Sequence, residues 1–198
     1  MTPFTYPRTR HTRRHGPGGY SNYERYRPWL RDEFTFRCVY CLKREQWGIV
    51  RGTYDIDHFV PQSRQPDASI DYENLFYACT TCNTAKGSAT VPNPGDCLLD
   101  GDVEVRENGA IEGRTPDATK LIRVLGLDDP EYREFRMLWI GVVQMARHHA
   151  PESLHAALRF PAELPNLKLL RPPRNTRPEG IERSYRARRD RGELPDVY

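Results

Sequence analysis

The 198-residue chain is 37% hydrophobic and 29% charged, with 17 prolines and 14 glycines, a balance that permits a compact centre with extended flanks and excludes a wholly disordered chain. No run approaches the roughly eighteen apolar residues of a membrane span, and residues 1–14 lack the apolar stretch of a secretory signal, so a cytoplasmic protein that stays off membranes is expected. The net charge of +3 conceals an asymmetry: residues 1–31 carry seven arginines against one acid, residues 159–198 carry ten basic residues against six acids, and the stretch between is acidic.

Residues 1–28 show no apolar periodicity, and Gly16-Pro17-Gly18-Gly19 opposes a helix, so a flexible basic arm is expected there. Residues 29–95 hold the expected core. Within it, residues 29–50 lead into Cys38-Val39-Tyr40-Cys41, and residues 54–59 alternate like a strand. A polar loop over 61–71 precedes a returning strand at 74–78, and a short helix is predicted to begin near Thr80 and stop at Gly87. Strand, loop, strand and helix make a ββα unit.

Residues 96–160 read as a hairpin and helical extension. Residues 103–105 and 110–111 flank Asn108-Gly109, the favoured chemistry of a tight turn. Helices are predicted over 117–125 and 131–148, the second with Phe135, Leu138, Trp139, Val142 and Met145 spaced as a core-facing stripe. Residues 161–198 form a Pro/Arg-rich tail, extended until Ile181, where a basic helix can start.

Five cysteines include two C-x-x-C pairs, Cys38/Cys41 and Cys79/Cys82, separated by 37 residues. This pattern fits a structural zinc site in a reducing compartment better than a disulfide framework. Four thiolates fill a tetrahedron and leave no open position, so the ion would close the hairpin without taking part in catalysis. Four unrelated buried thiols, or two disulfides, are the alternatives. Cys97 is left over as a plain thiol.

Between the pairs lies Tyr54-Asp55-Ile56-Asp57-His58-Phe59-Val60-Pro61-Gln62-Ser63, followed by Asn74-Leu75 and by Cys82-Asn83-Thr84-Ala85-Lys86-Gly87. An Asp-His dipeptide alone carries little information. Together, however, D-H-x-x-P, N-L and C-x-x-C-N-x-x-K-G in this order resemble the HNH endonuclease family over about fifty residues, 38–87. The resemblance implies an α+β fold with a zinc-stapled ββα-metal (HNH) core, here with a helical C-terminal extension. It also implies hydrolysis of phosphodiester bonds with the help of a divalent cation. A neutral imidazole can accept a proton near pH 7, which suits His58 as general base. By the resemblance Asp57 and Asn83 hold the cation through oxygen, as Mg²⁺ or Mn²⁺ prefers, and Asn74 ties down the loop that orients the base.

Strict alternation would send Asp57 and His58 to opposite sides of a strand, so the strand must twist or end there. Lys86, three residues after Asn83, is a candidate phosphate contact, with a solvated surface lysine as the alternative. Gln62 and Arg64 lie in the adjoining loop and are further candidates.

Of the 30 basic residues 26 are arginine, whose planar guanidinium grips phosphate through two parallel hydrogen bonds. A polyanionic partner is therefore expected, which the resemblance makes nucleic acid, double-stranded DNA foremost, contacted by Arg8, Arg10, Arg13 and Arg14 in front and by Arg183, Arg186, Arg188 and Arg189 behind. Charge that merely solvates loose ends is the plainer alternative. A protein partner conferring specificity is also compatible with the sequence. Two other classes stay open: a zinc-knuckle nucleic-acid-binding module without catalysis, and a scaffold for protein interaction.

Overall fold

A computed structural model describes residues 2–47 and 53–198, so the end of segment 29–50 lies outside the described residues. The protein is α+β. Helix α1 (Arg27–Glu33) is entered through a 3-10 turn at Tyr23–Tyr26, where the Asn22 side chain accepts the Glu24 N–H at 2.9 Å. Its inner face carries Trp29 and Leu30, both fully buried. Beyond α1 the chain reverses through Thr35 and Phe36, both at φ +55°, and enters the Cys38–Cys41 knuckle.

Strands β1 (Tyr54–His58) and β2 (Leu75–Cys79) pair antiparallel, from Tyr54 opposite Cys79 to His58 opposite Leu75. Every residue of β2 is buried, because the strand lies under α1 as well as beside α2. Helix α2 (Thr80–Lys86) starts directly after β2 and crosses back over β1. It ends where Gly87, at φ +50°, returns its N–H to the Asn83 carbonyl at 2.9 Å. The ββα unit therefore stands where it is expected.

The extension follows as α3 (Pro94–Cys97), the hairpin β3 (Val103–Val105) and β4 (Ile111–Gly113), α4 (Pro116–Val124), α5 (Pro130–His149) and α6 (Pro151–Leu158). Thr115 caps α4 through the Ala118 N–H at 3.3 Å, with Pro116 as its first residue. Gly109 turns the hairpin at φ +77°, and a Cβ there would run into the Arg133 carbonyl, so α5 packs directly on the turn. Helix α7 (Tyr185–Asp190) closes the chain, capped by Ser184. No helix of the described residues is long and apolar enough to cross a membrane.

Two expectations are corrected here. The stretch 2–28 is not a loose arm. Phe4 packs edge-on to Trp47 at 5.3 Å, the Tyr6 hydroxyl donates to the Tyr40 carbonyl at 2.7 Å, and His15 is buried against Asp32 at 2.9 Å. Its charges act internally: the Arg14 guanidinium lies 3.4 Å from Asp32 and 3.8 Å from Glu33, both carboxylates fully buried. Charge counting cannot separate an arginine that neutralises a buried acid from one that solvates a free end.

The α5 stripe is the second correction. The buried residues of α5 are Arg136, Ile140, Val143 and Ala146, with Trp139 stacked on Trp47 at 4.4 Å, whereas Leu138 and Met145 face solvent. The helix carries apolar residues on two faces. Its docking on Trp47 and on the Gly109 turn, where Arg136 donates to the Gly109 carbonyl at 2.5 Å, selects the inner one.

The tail carries its basic helix, α7, after Ile181 as expected, and its end is anchored. Tyr198 stacks on Phe160 at 4.4 Å with the Arg44 guanidinium 4.2 Å over its ring, and Leu164 and Leu167 are buried.

Candidate metal centre and active site

Local backbone geometry builds the thiol cluster. In the first knuckle the Cys38 N–H donates to the Lys43 carbonyl at 2.9 Å, and Leu42, at φ +59°, donates to the Cys38 carbonyl at 3.0 Å. The second pair needs no special loop, since Cys79 ends β2 and Cys82 lies in the first turn of α2. All four cysteines are buried and unpaired by disulfides, and their sulfurs lie within 4.8 Å of one another, Cys41 and Cys79 at 3.7 Å. Bonds of about 2.3 Å to a tetrahedral ion imply sulfur separations of about 3.8 Å, so the cluster fits zinc. Hydrogen bonds from the other three thiols pull the Cys79 thiol far below its ordinary range, while burial pushes the Cys38 thiol up and hydrogen bonding within the cluster pushes Cys82 up.

Tyr132 of α5 reaches Cys82 with its hydroxyl 3.1 Å from Sγ, joining the extension to the cluster. Cys97 is buried apart, its thiol pushed up to about 12 by burial and by Asp117.

At the other end of the β1–β2 ladder the polar groups fall into two sets on opposite faces of β1, so the twist expected to bring Asp57 and His58 to one side is not found: alternation holds through His58, the strand's last residue. Toward α2, Asp57 is buried, accepting the Tyr40 hydroxyl at 2.5 Å and the Lys86 ammonium at 2.7 Å. Lys86 also donates to the His58 carbonyl at 2.7 Å. One helical turn earlier, the Asn83 amide nitrogen lies 3.3 Å from an Asp55 carboxylate oxygen. Helix α2 thus runs along β1 with Asn83 over Asp55 and Lys86 over Asp57.

His58, the last residue of β1, points the other way. Its Nε2 lies 3.0 Å from the Ser69 carbonyl, an acceptor, and 2.9 Å from the Gln62 amide nitrogen, a donor, so both meet the ring at the same atom. The edge of one ring meets the face of the other between Tyr23 and His58, at 4.8 Å and 84°, and the exposed Gln62 amide nitrogen is 3.4 Å from Nδ1. Burial lowers the His58 pKa below 6.5 against the opposing pull of the Ser69 carbonyl and Asp57. Among the described residues no hydrogen bond joins its ring to Asp57 or Asn83.

Asn74 is buried and spans the loop: its Oδ1 accepts the Val60 N–H at 2.7 Å, and its amide donates to the Val60 and Ala68 carbonyls, each at 3.1 Å. These bonds hold residues 59–69, and with them the Ser69 carbonyl that meets His58.

Several expected nucleic-acid contacts are placed otherwise. Lys86 is fully buried on Asp57, so it is neither a solvated lysine nor open to a phosphate. Arg13 is sandwiched among Phe34, Tyr72 and Phe76 at about 5 Å from each ring, and Arg14 is taken by the buried acids of α1. Arg8 and Arg10 lie over Asp100 and Asp96. Arg64 is exposed beside Thr90, Arg189 is exposed with one bond to the Ala162 carbonyl, and Arg186 pairs with Asp190 at 2.9 Å.

Sequence reasoning passed over three site residues. Asp55 is two residues before Asp57 and so shares its strand face, a signal that was readable. Tyr40 sits between the first two cysteines, and Tyr23 comes from outside the motif; neither betrays its target in one dimension.

A ββα element clasped by four thiols, with an imidazole and carboxylates at its far end, defines the class of domain. Residues 38–89 match the family model of the HNH endonuclease, a stretch that contains all four cysteines, both strands and α2. No curated protein and no solved structure matches the chain significantly. The family match supports a nuclease-like, nucleic-acid-related function, and the thiol cluster supports zinc binding.

Proposed function

We propose that the chain is a metal-dependent endonuclease that hydrolyses phosphodiester bonds in nucleic acid, double-stranded DNA in particular, with His58 as general base and Asp57 and Asn83 as ligands of Mg²⁺ or Mn²⁺. The observation that carries this reading is the setting of His58 within the matched segment. The Ser69 carbonyl and the exposed Gln62 amide both hold the ring at Nε2, Tyr23 backs it, and among the described residues Nδ1 has no contact nearer than Gln62 at 3.4 Å. A pKa below 6.5 keeps the ring neutral and able to take a proton from water at physiological pH.

Asp55, Asp57 and Asn83 offer hard oxygens on the α2 face, the donor set that Mg²⁺ or Mn²⁺ favours. Each Asp57 oxygen accepts one hydrogen bond and retains further lone-pair capacity. A bound cation there would offset charge on the phosphate and the leaving oxygen. Asn74 orients the base through the loop it ties, and the exposed Arg64 and Arg189, with Arg186, supply backbone contacts.

The test is plasmid incubated with purified protein and Mg²⁺ or Mn²⁺, beside His58→Ala. Nicking that disappears in the variant, with its circular dichroism unchanged, supports the proposal; equal nicking by both sinks it. The Lys86–Asp57 pair, and the placing of His58 on the opposite face of β1 from Asp57, favour a second reading, a zinc-clasped nucleic-acid-binding module whose acid is already neutralised. DNA binding without cleavage by either protein selects that reading.

A further inference from the structure

Helix α5 leaves a second apolar face uncovered. Met137, Leu138 and Met145 are 50%, 62% and 67% exposed, and a Cβ built on Gly141, between them, would meet nothing within 4 Å. Glu134, Leu138, Gly141, Met145 and His148 follow one another at spacings of four and three, the seam along which one helix packs on another. Large apolar side chains grouped in this way, rather than scattered, mark an interaction surface.

Charge identifies the occupant. Glu131 and Glu134 are exposed towards the start of α5, and Arg147, His148 and His149 are exposed at its end. Glu134 and Arg147 have no ion pair among the described residues, so both charges are available to a partner. The seam is also symmetric about Gly141: Met137 and Met145 lie four residues to either side, and Glu134 and His148 seven.

We infer that α5 is a two-fold interface between two copies of this chain, their α5 helices crossing antiparallel at Gly141. That arrangement sets Met137 against Met145 of the partner subunit and Glu134 against His148 of the partner subunit, with the cationic Arg147 of the partner subunit adjacent. A parallel crossing would instead place like charges together. The missing side chain at Gly141 lets the two axes approach closely, and antiparallel helix dipoles attract. A closed two-fold contact uses the same patch twice, so this face needs no foreign surface to complement it.

The test begins with sedimentation equilibrium of the zinc-loaded full chain, for which twice the 23.1 kDa chain mass is expected. Leu138→Glu with Met145→Glu should give a monomer with unchanged circular dichroism, since both positions face solvent. Cysteine crosslinking in a Cys97→Ser background then reads the symmetry. Gly141→Cys, on the axis, should form a covalent dimer by itself. Met137→Cys should do so only when combined with Met145→Cys. Glu134→Arg should weaken dimerisation severalfold, and added Arg147→Glu and His148→Glu should restore it. A wild-type chain that stays monomeric at tens of micromolar, or Met137→Cys crosslinking as well alone as Gly141→Cys, overturns the inference. None of these measurements depends on nuclease activity.

Discussion

The two ends of the β1–β2 ladder solve opposite problems. At the Tyr54–Cys79 end, four thiols lie together inside the protein with no cationic side chain bonded to them among the described residues, so an ion is what would satisfy them as thiolates. At the His58–Leu75 end, the buried carboxylate of Asp57 already has its partners in Lys86 and Tyr40. One end is completed by something from outside the chain; the other satisfies its buried charge from within.

The largest effect should come from the clasp. A structural zinc contributes roughly 10–16 kcal/mol in small peptides, comparable to or above the roughly 5–15 kcal/mol that holds a whole domain. A strong chelator, or Cys82→Ser, should therefore abolish the cooperative unfolding transition, with one zinc per chain by elemental analysis beforehand. A zinc-free protein that still melts cooperatively at the original temperature would remove the distinction between the two ends.

The catalytic proposal gives the next effect. His58→Ala should reduce cleavage about 10²–10⁴-fold, the usual contribution of a positioned base. Because the base must be neutral and its pKa lies below 6.5, activity should fall along an acid limb whose midpoint lies below pH 6.5. An acid limb centred above 6.5 would show that another group controls the rate.

Lys86→Met probes the self-satisfied end directly. Removing one partner of a buried ion pair typically costs about 3–5 kcal/mol, because the remaining charge is stranded. Urea unfolding should show this loss, and Asp57→Asn in the same chain should recover much of it. Additive losses would mean that the two residues act independently.

The smallest effect belongs to the buried acids of α1. Burial alone would raise the Glu33 carboxyl, but the His11 ring 3.4 Å away, a hydrogen bond from the Arg14 N–H and the Arg14 charge hold it at about 2 against 4.5. Its folded value is depressed, so its stabilisation is complete above pH 4.5 and fades as pH falls towards 2. Acid titration of the unfolding midpoint should flatten over that window in Glu33→Gln.

Much of the core was legible because its signals are local. A C-x-x-C pair is itself a knuckle, alternation over five residues is a strand, and Asn108-Gly109 is a turn; none requires knowledge of a distant partner. The candidate site was legible as a set of residues and not as an arrangement. Lys86 reads as a surface cation in one dimension, and only the crossing of α2 over β1 turns it inward onto Asp57. The same crossing sets Asn83 beside Asp55 rather than within hydrogen-bonding distance of Asp57.

Composition and spacing determined that this chain has a four-thiol clasp, a ββα element and an Asp-His pair at the end of a strand, because each follows from residue type and neighbours a few positions away. Tertiary structure alone decided that the basic N-terminal segment is internal, that α5 buries Arg136 and exposes Leu138, and which polar group satisfies which carboxylate. Periodicity and net charge are unchanged by rotating a helix or by exchanging ion-pair partners, so those choices become definite only when the elements pack.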